Sequence, residues 1–225
     1  MMMSLRAEPP HAAPTPALHP RSVRAREAVL TATAALLAEG GLGAATVGAI
    51  SSRSGVSKMT IYKHWPSRTA VAAEAFGRRM ADCVPIPDTG DAVADLREQI
   101  RRVSAFYAGE TGQVFRQLLA ACVTDPEAAP YFRTYFLQAR RAASALLWDR
   151  LVAQGKARAG ISSETATDIL FGPLIFRLLT GHARLDSDQA DAISEAALQG
   201  LLAVGPAEPV EPAEPARPAE PAEPV

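Results

Sequence analysis

Between Arg24 and Glu39, apolar side chains fall at Ala25, Val29, Ala32 and Leu36, the spacing of one face of an α-helix. Gly40-Gly41 ends that run. A shorter stripe, Val47 and Ile50, follows Thr46, whose hydroxyl suits it to cap a helix start. Gly55 marks the stop, because glycine tolerates the left-handed backbone just past a helix end. Val56 plugs the turn, and Ser57 caps a new helix whose inward residue is Ile61. Lys58, Thr60, Tyr62, Lys63 and His64 point outward from it. Pro66 closes this helix by disfavouring the α region at the residue before it. Ser67 caps the next, from Arg68 or Thr69 to about Asp82, with Val71 and Ala75 inward.

CVPIPDTG, residues 83–90, reads as a loop and places a domain boundary there. Beyond it, Val93, Leu96, Ile100 and Val103 predict a helix over 91–108. A shorter apolar helix is expected over 113–123, then a helix start at Asp125-Pro126. Pro130 is expected to interrupt that turn before a long helix over 131–154. Gly155 and Gly160 bracket a break. A helix from Ser162 or Ser163 to about Gly181 carries Pro173, which predicts a kink. The last helix runs from Asp186 or Ser187 to near Val204. No stretch alternates as strands do. The expected fold is all-α, about nine helices. A three-helix N-terminal domain (21–82, its helix-turn-helix at about 45–64) with a connecting fourth helix precedes a helical domain over 83–204. Five prolines and little pattern mark 1–20 as a disordered arm. Over 205–225 proline recurs every third residue, the period of solvated polyproline II.

Helix, tight glycine turn, helix with a polar outer face is the layout of a helix-turn-helix, whose second helix enters the major groove of DNA. Lys58 is placed to reach guanine N7 and O6, Thr60 a base edge or thymine methyl, and Met59 an apolar contact. Charge agrees. Residues 21–79 hold nine Lys/Arg against three Asp/Glu, whereas 80–203 hold twelve against fifteen. A basic first third on a mildly acidic body is the footprint of nucleic-acid binding at one end. Arg21, Arg24 and Arg26 near the start of the first helix are either solvated charge or an arm that touches phosphates or the minor groove.

AISSRSGVSKMTIYKHWPSRTAV resembles the DNA-binding motif of the tetracycline-repressor (TetR) family of transcriptional regulators. Thr46, Ile50, the Gly55-Val56-Ser57 turn, Thr60, Ile61-Tyr62, His64, Trp65 and the small residue before Arg68 carry the likeness, over roughly 24–76. Ser51 and Ser54 depart from it, standing where small apolar alanines are commoner. The resemblance implies that Tyr62 and His64, with Lys63 beside them, contact groove and phosphates. It makes Thr46 and Arg68 phosphate clamps at the ends of their helices, and Ser57 stands with them among the candidate DNA-binding residues. It also implies a repressor acting as a homodimer on a palindromic operator in double-stranded DNA, released by a small-molecule effector. The pocket would lie among Phe106, Phe115, Arg116, Leu119, Phe136, Arg140 and Phe176. One recognition helix covers few base pairs, and two-fold dimers solve this. Candidate dimer stripes are Ile169, Phe176 and Leu179, and Ala190, Ile193, Ala197 and Leu201, with Gly172, Gly181 and Gly200 permitting close approach; the alternative is that both stripes face the subunit's own core. An activator of the same fold, or a helical interaction module without DNA binding, are the alternatives.

Other classes recede. No apolar run approaches the ~18 residues a membrane helix needs, and residues 1–20 lack the apolar block of a secretory signal. Cys83 and Cys122 fit neither a metal site nor a disulfide framework, so a reducing cytoplasm, at the nucleoid, is expected. His11, His19, His64 and His182 are dispersed, without partners at catalytic or metal-ligand spacing. No catalytic residue, metal or cofactor is expected.

Overall fold

The computed structural model describes residues 20–124 and 128–203. The expected arm up to residue 19, the Asp125-Pro126 helix start and the tail from 205 lie outside the described residues. Helix α1 spans Pro20–Ala44, α2 Val47–Ser54, α3 Lys58–His64 and α4 Arg68–Cys83. Then come α5 Ala92–Ala108, α6 Glu110–Thr124, α7 Ala128–Phe132, a π-helical turn Arg133–Leu137, α8 Gln138–Ala153, α9 Ser163–Thr180 and α10 Ser187–Leu201. α7, the π turn and α8 run on without interruption, so the described residues form nine helical rods. The one strand-like pairing among them is an isolated bridge between Ala157 and Leu202.

Local chemistry sets most boundaries. Thr46, Ser57, Ser67, Ser162 and Asp186 each accept the backbone N–H three residues on, satisfying a donor the helix itself leaves free. Asp91 caps α5 the same way. Gly55 ends α2 at φ 70°. α1 begins at Pro20 rather than Arg24, and Gly40-Gly41 breaks it as the sequence predicts. Gly41, at φ 64°, ψ −159°, holds a conformation that essentially only glycine adopts. Gln117 of α6 fixes the break by accepting the Leu42 N–H at 2.7 Å.

Three expectations change. α6 starts at Glu110, leaving only Gly109 between it and α5. Pro130 does not interrupt its turn: it lies in the first turn of α7, where its missing N–H breaks no ladder bond. Gly181, expected to permit close approach between helices, caps α9, which carries Pro173 inside it.

One apolar core runs through both halves. Val29, Ala32 and Leu36 of α1, Ile50, Ile61, Trp65, Val71 and Phe76 are buried around α4; Leu96, Ile100, Leu118, Leu147, Leu170 and Leu198 fill the body. The loop after α4 is pinned by the buried Asp95 carboxylate, which accepts from Thr89 N and Oγ1, and by Arg150, which donates to Pro87 O.

Candidate nucleic-acid interface

α3 has seven residues and one buried side chain, Ile61. Trp65, just after it, is fully buried. These two anchors turn the rest of the helix outward. Met59 is 84% exposed and Tyr62 52%, while Lys58, Lys63 and Arg68 are exposed and make no ion pair among the described residues. Lys58 lies back across α2, its Nζ 3.9 Å from where a Gly48 Cβ would stand, beside Thr46. Thr46 and Lys58 therefore share one surface. The Thr60 hydroxyl stays with the cap, 2.9 Å from Ser57 Oγ. His64 is half-buried and turned toward α1, with Nε2 3.5 Å from Ser22 Oγ.

What holds this surface in place is a buried polar knot. Glu74 of α4 accepts from Trp65 Nε1 at 2.7 Å and from Arg26 Nη2 at 2.6 and 2.5 Å. The Arg26 guanidinium also covers the Trp65 ring, 4.7 Å from its centroid. Arg26 was expected in a DNA arm; the ion pair with Glu74 makes it a brace instead. Arg21 and Arg24 remain exposed on α1. The signal for the knot was a lone glutamate on an otherwise apolar helix face.

A cavity of about 360 Å³ opens between α5, α8 and α9. Of the expected pocket residues it is lined by Phe115, Phe136 and Arg140. The other four lie elsewhere. Arg116 is exposed; Leu119 packs partly buried on the core. Phe106 sits edge-on against Phe76 at 5.7 Å, and Phe176 is 61% exposed beside His182. Helical phase separates them: an aromatic-rich helix cannot turn every ring to one side. Sequence reasoning missed Gln99, Tyr107, Ser144, Thr167, Phe171 and Ile175 on the cavity wall. The available signal was Gln99, a polar residue three after Leu96 and four before Val103 on the buried face of α5. Tyr107 is buried, and desolvation pushes its phenol well above the ordinary range, partly opposed by Arg140. Burial also lowers the Arg140 guanidinium from its usual value, with Tyr107 acting the other way.

The π turn joins the two sites. Phe136 and Leu137 line the cavity, while Tyr135 Oη donates to His64 O at the end of α3, 3.4 Å away. Phe115 stacks on Phe76 of α4 at 5.3 Å. Single π turns inside α-helices recur at functional sites.

Of the expected dimer stripes, Ile169, Phe176 and Leu179 are 42%, 61% and 46% exposed. The second is rotated: Ala190 and Leu201 are fully buried in the subunit's own core, with Ile193 and Ala197 partly buried against it. Pairs Arg97–Glu195 and Arg101–Asp191 hold α10 against α5 in that orientation. Among the described residues no helix is long and apolar enough to cross a membrane, and no cluster of His, Cys, Asp and Glu could hold a metal ion.

Comparison with known proteins supplies the rest. Residues 29–75 match the family described as bacterial regulatory proteins, tetR family. Residues 86–197 match the tetracyclin repressor-like C-terminal domain. An uncharacterized HTH-type transcriptional regulator, YdeS of Bacillus subtilis, is 34% identical over 190 residues, covering 84% of this chain and 96% of YdeS. The HTH-type regulator AqdR of Rhodococcus erythropolis is 27% identical over 145 residues, 64% of this chain and 68% of AqdR. The crystal structure of the TetR family transcription regulator SCO0332 superimposes with TM-score 0.73 at 31% identity, covering 81% of this chain and all of that one.

Proposed function

Because the chain belongs to the TetR family of DNA-binding transcriptional regulators, we propose that it is a repressor whose homodimer grips a palindromic operator and lets go when a small molecule fills the cavity. Residues 21–82 form the DNA-binding unit and 83–204 the regulatory and dimerising one. α3 enters the major groove. Lys58 reads base acceptors, with Met59 and Tyr62 against the groove wall. Lys63, Arg68 and the α2 start at Thr46 hold phosphates, which fix register without reading sequence. His64 touches phosphate only from the side its contact with Ser22 leaves open.

The observation that carries this reading is the outward presentation of α3, with Met59 84% and Tyr62 52% exposed over a fully anchored Ile61 and Trp65. Effector response is supported by one turn of helix: Phe136 faces the cavity while its neighbour Tyr135 holds the end of α3. Dimerisation is supported by the uncovered Ile169, Phe176 and Leu179 on α9, and two such subunits would set their α3 helices ~34–36 Å apart or a multiple of it.

The test is selection of genomic fragments by the purified protein, then footprinting. A protected palindrome is expected. On variants of that operator, Lys58→Ala should cost ~1–3 kcal/mol at one base position and relax specificity there, whereas Arg68→Ala should weaken every sequence alike. Uniform loss in both variants would overturn the assignment of base reading to Lys58.

A further inference from the structure

Among the described residues, two buried side-chain polar atoms have no hydrogen-bond partner: Gln99 Oε1 and Arg140 Nε. Both belong to the wall of the same cavity. Native proteins rarely leave such groups unpaired, and the penalty disappears when a ligand brings the missing partner. Resting on the reading of this cavity as the effector site, we propose that its ligand is a small aromatic carboxylate, of one or two rings, that also carries a hydrogen-bond donor such as a hydroxyl.

Each part follows from the wall. Arg140 Nε can only donate, so it requires an acceptor; Gln99 Oε1 can only accept, so it requires a donor. The other polar groups are committed. Ser144 Oγ donates to Arg140 O at 3.1 Å, Thr167 Oγ1 to Ser163 O at 2.8 Å, Tyr107 Oη to Met80 Sδ at 3.9 Å, and Arg141 pairs with Asp168 at 2.6 Å. Arg141 and Asp168 cancel in charge, and no other acid lines the cavity. Arg140 is thus the one uncompensated charge on the wall, and a planar guanidinium is the side chain best matched to a carboxylate. Val103, Phe115, Phe136, Phe171 and Ile175 supply much of the apolar lining, a surface suited to flat apolar rings. The volume, about 360 Å³, equals about a dozen waters at ~30 Å³ each and lies near the small end of ligand sites, ~300–1,000 Å³. That accommodates one or two rings and leaves little room for a long chain.

Three probes separate the requirements: 6-hydroxy-2-naphthoate, 2-naphthoate and neutral 2-naphthamide, each titrated calorimetrically into the full chain. The order of affinity should follow that list, with about a tenfold or larger step between acid and amide, as a charge-assisted hydrogen bond implies. Arg140→Leu should erase the acid-over-amide step, and Gln99→Leu only the gain from the hydroxyl. Arg140→Lys, which keeps the charge, should retain part of the acid preference, and thermal melts confirm that each variant folds. Equal binding of acid and amide, an acid preference that survives Arg140→Leu, or no binding of either acid at about 1 mM, the weak limit of specific recognition, would overturn the ligand class. Operator release, read by fluorescence anisotropy, tests the underlying effector reading separately. Acids that bind with the stated preference yet leave the operator bound would overturn that reading and uphold the ligand class. Release by acid and amide at equal concentrations would do the opposite.

Discussion

Removing the Glu74 carboxylate tests how the reading helix is held. Glu74 is 8% exposed and Trp65 not at all; the Arg26 side chain keeps 23% of its surface. In Glu74→Ala the indole N–H loses its acceptor where water does not reach, a cost of ~1–3 kcal/mol. Arg26 loses its counter-ion as well. Breaking a fully buried ion pair costs ~3–5 kcal/mol, but Arg26 retains access to water, so about 1–2 kcal/mol is the apt figure. Together the change should destabilise the fold by about 2–5 kcal/mol, a large part of a typical ~5–15 kcal/mol. Glu74→Gln keeps an oxygen for the indole and forfeits only the charge, so about 1–2 kcal/mol is expected. At ~2–4 °C per kcal/mol for a chain of this size, Tm should fall by about 4–20 °C in the alanine variant and about 2–8 °C in the glutamine variant. Urea unfolding followed by circular dichroism gives the free-energy losses, and thermal melts give the Tm shifts. The operator affinity of Glu74→Gln should fall for all sequences alike, because the knot sets where α3 points and reads no base. An alanine variant within 1 kcal/mol of wild type, or a glutamine variant as unstable as the alanine one, would show that the knot does not brace the interface.

Further tests concern coupling, pH, the turn and assembly. Tyr135→Phe removes only the bond to His64 O; operator affinity without effector should stay within about threefold while effector-induced release shrinks, a coupling change of the ~0.5–2 kcal/mol size seen along such connections. Lys156, then the backbone N–H groups of Val93 and Ala94, hold the Asp91 carboxyl below its ordinary 3.8. A folded pKa below the unfolded one stabilises above the unfolded value and is lost as pH falls through the folded one, so the Tm advantage of wild type over Asp91→Asn should be present at pH 7 and vanish well below pH 3.8. Gly55→Ala forces a side chain into the left-handed region at φ 70° and should cost ~1–2 kcal/mol in chemical denaturation. Ile169→Glu combined with Leu179→Glu charges a face already in solvent; the subunit should keep its helical content but appear as a monomer by light scattering, with operator affinity lost.

The helix-turn-helix was legible because its signals are local. Thr46, Gly55, Ser57, Pro66 and Ser67 act within one turn of their own position, and capping chemistry needs no tertiary partner. Helical period then identified Val29, Leu36, Ile50, Ile61 and Val71 as inward, and all five are buried in the core. What period cannot supply is the exact rotation of a helix when both of its faces carry apolar residues. α10 shows this: Ala190 and Leu201 were equally suited to a partner's surface or to their own core, and packing against α5 and α9 turned them inward. The cavity lay beyond sequence for the same reason. Gln99, Arg140 and Phe171 come from three helices, and only the way those helices cross brings them to one wall. Arg26 looked like a groove-seeking cation until Glu74, forty-eight residues away, appeared beside it. The chain alone determined which short helix carries the polar face, since that depends on bonds between near neighbours. Tertiary structure decided which charges were spent on the fold and which two buried atoms were left wanting, since those depend on distances between segments that no local rule sets.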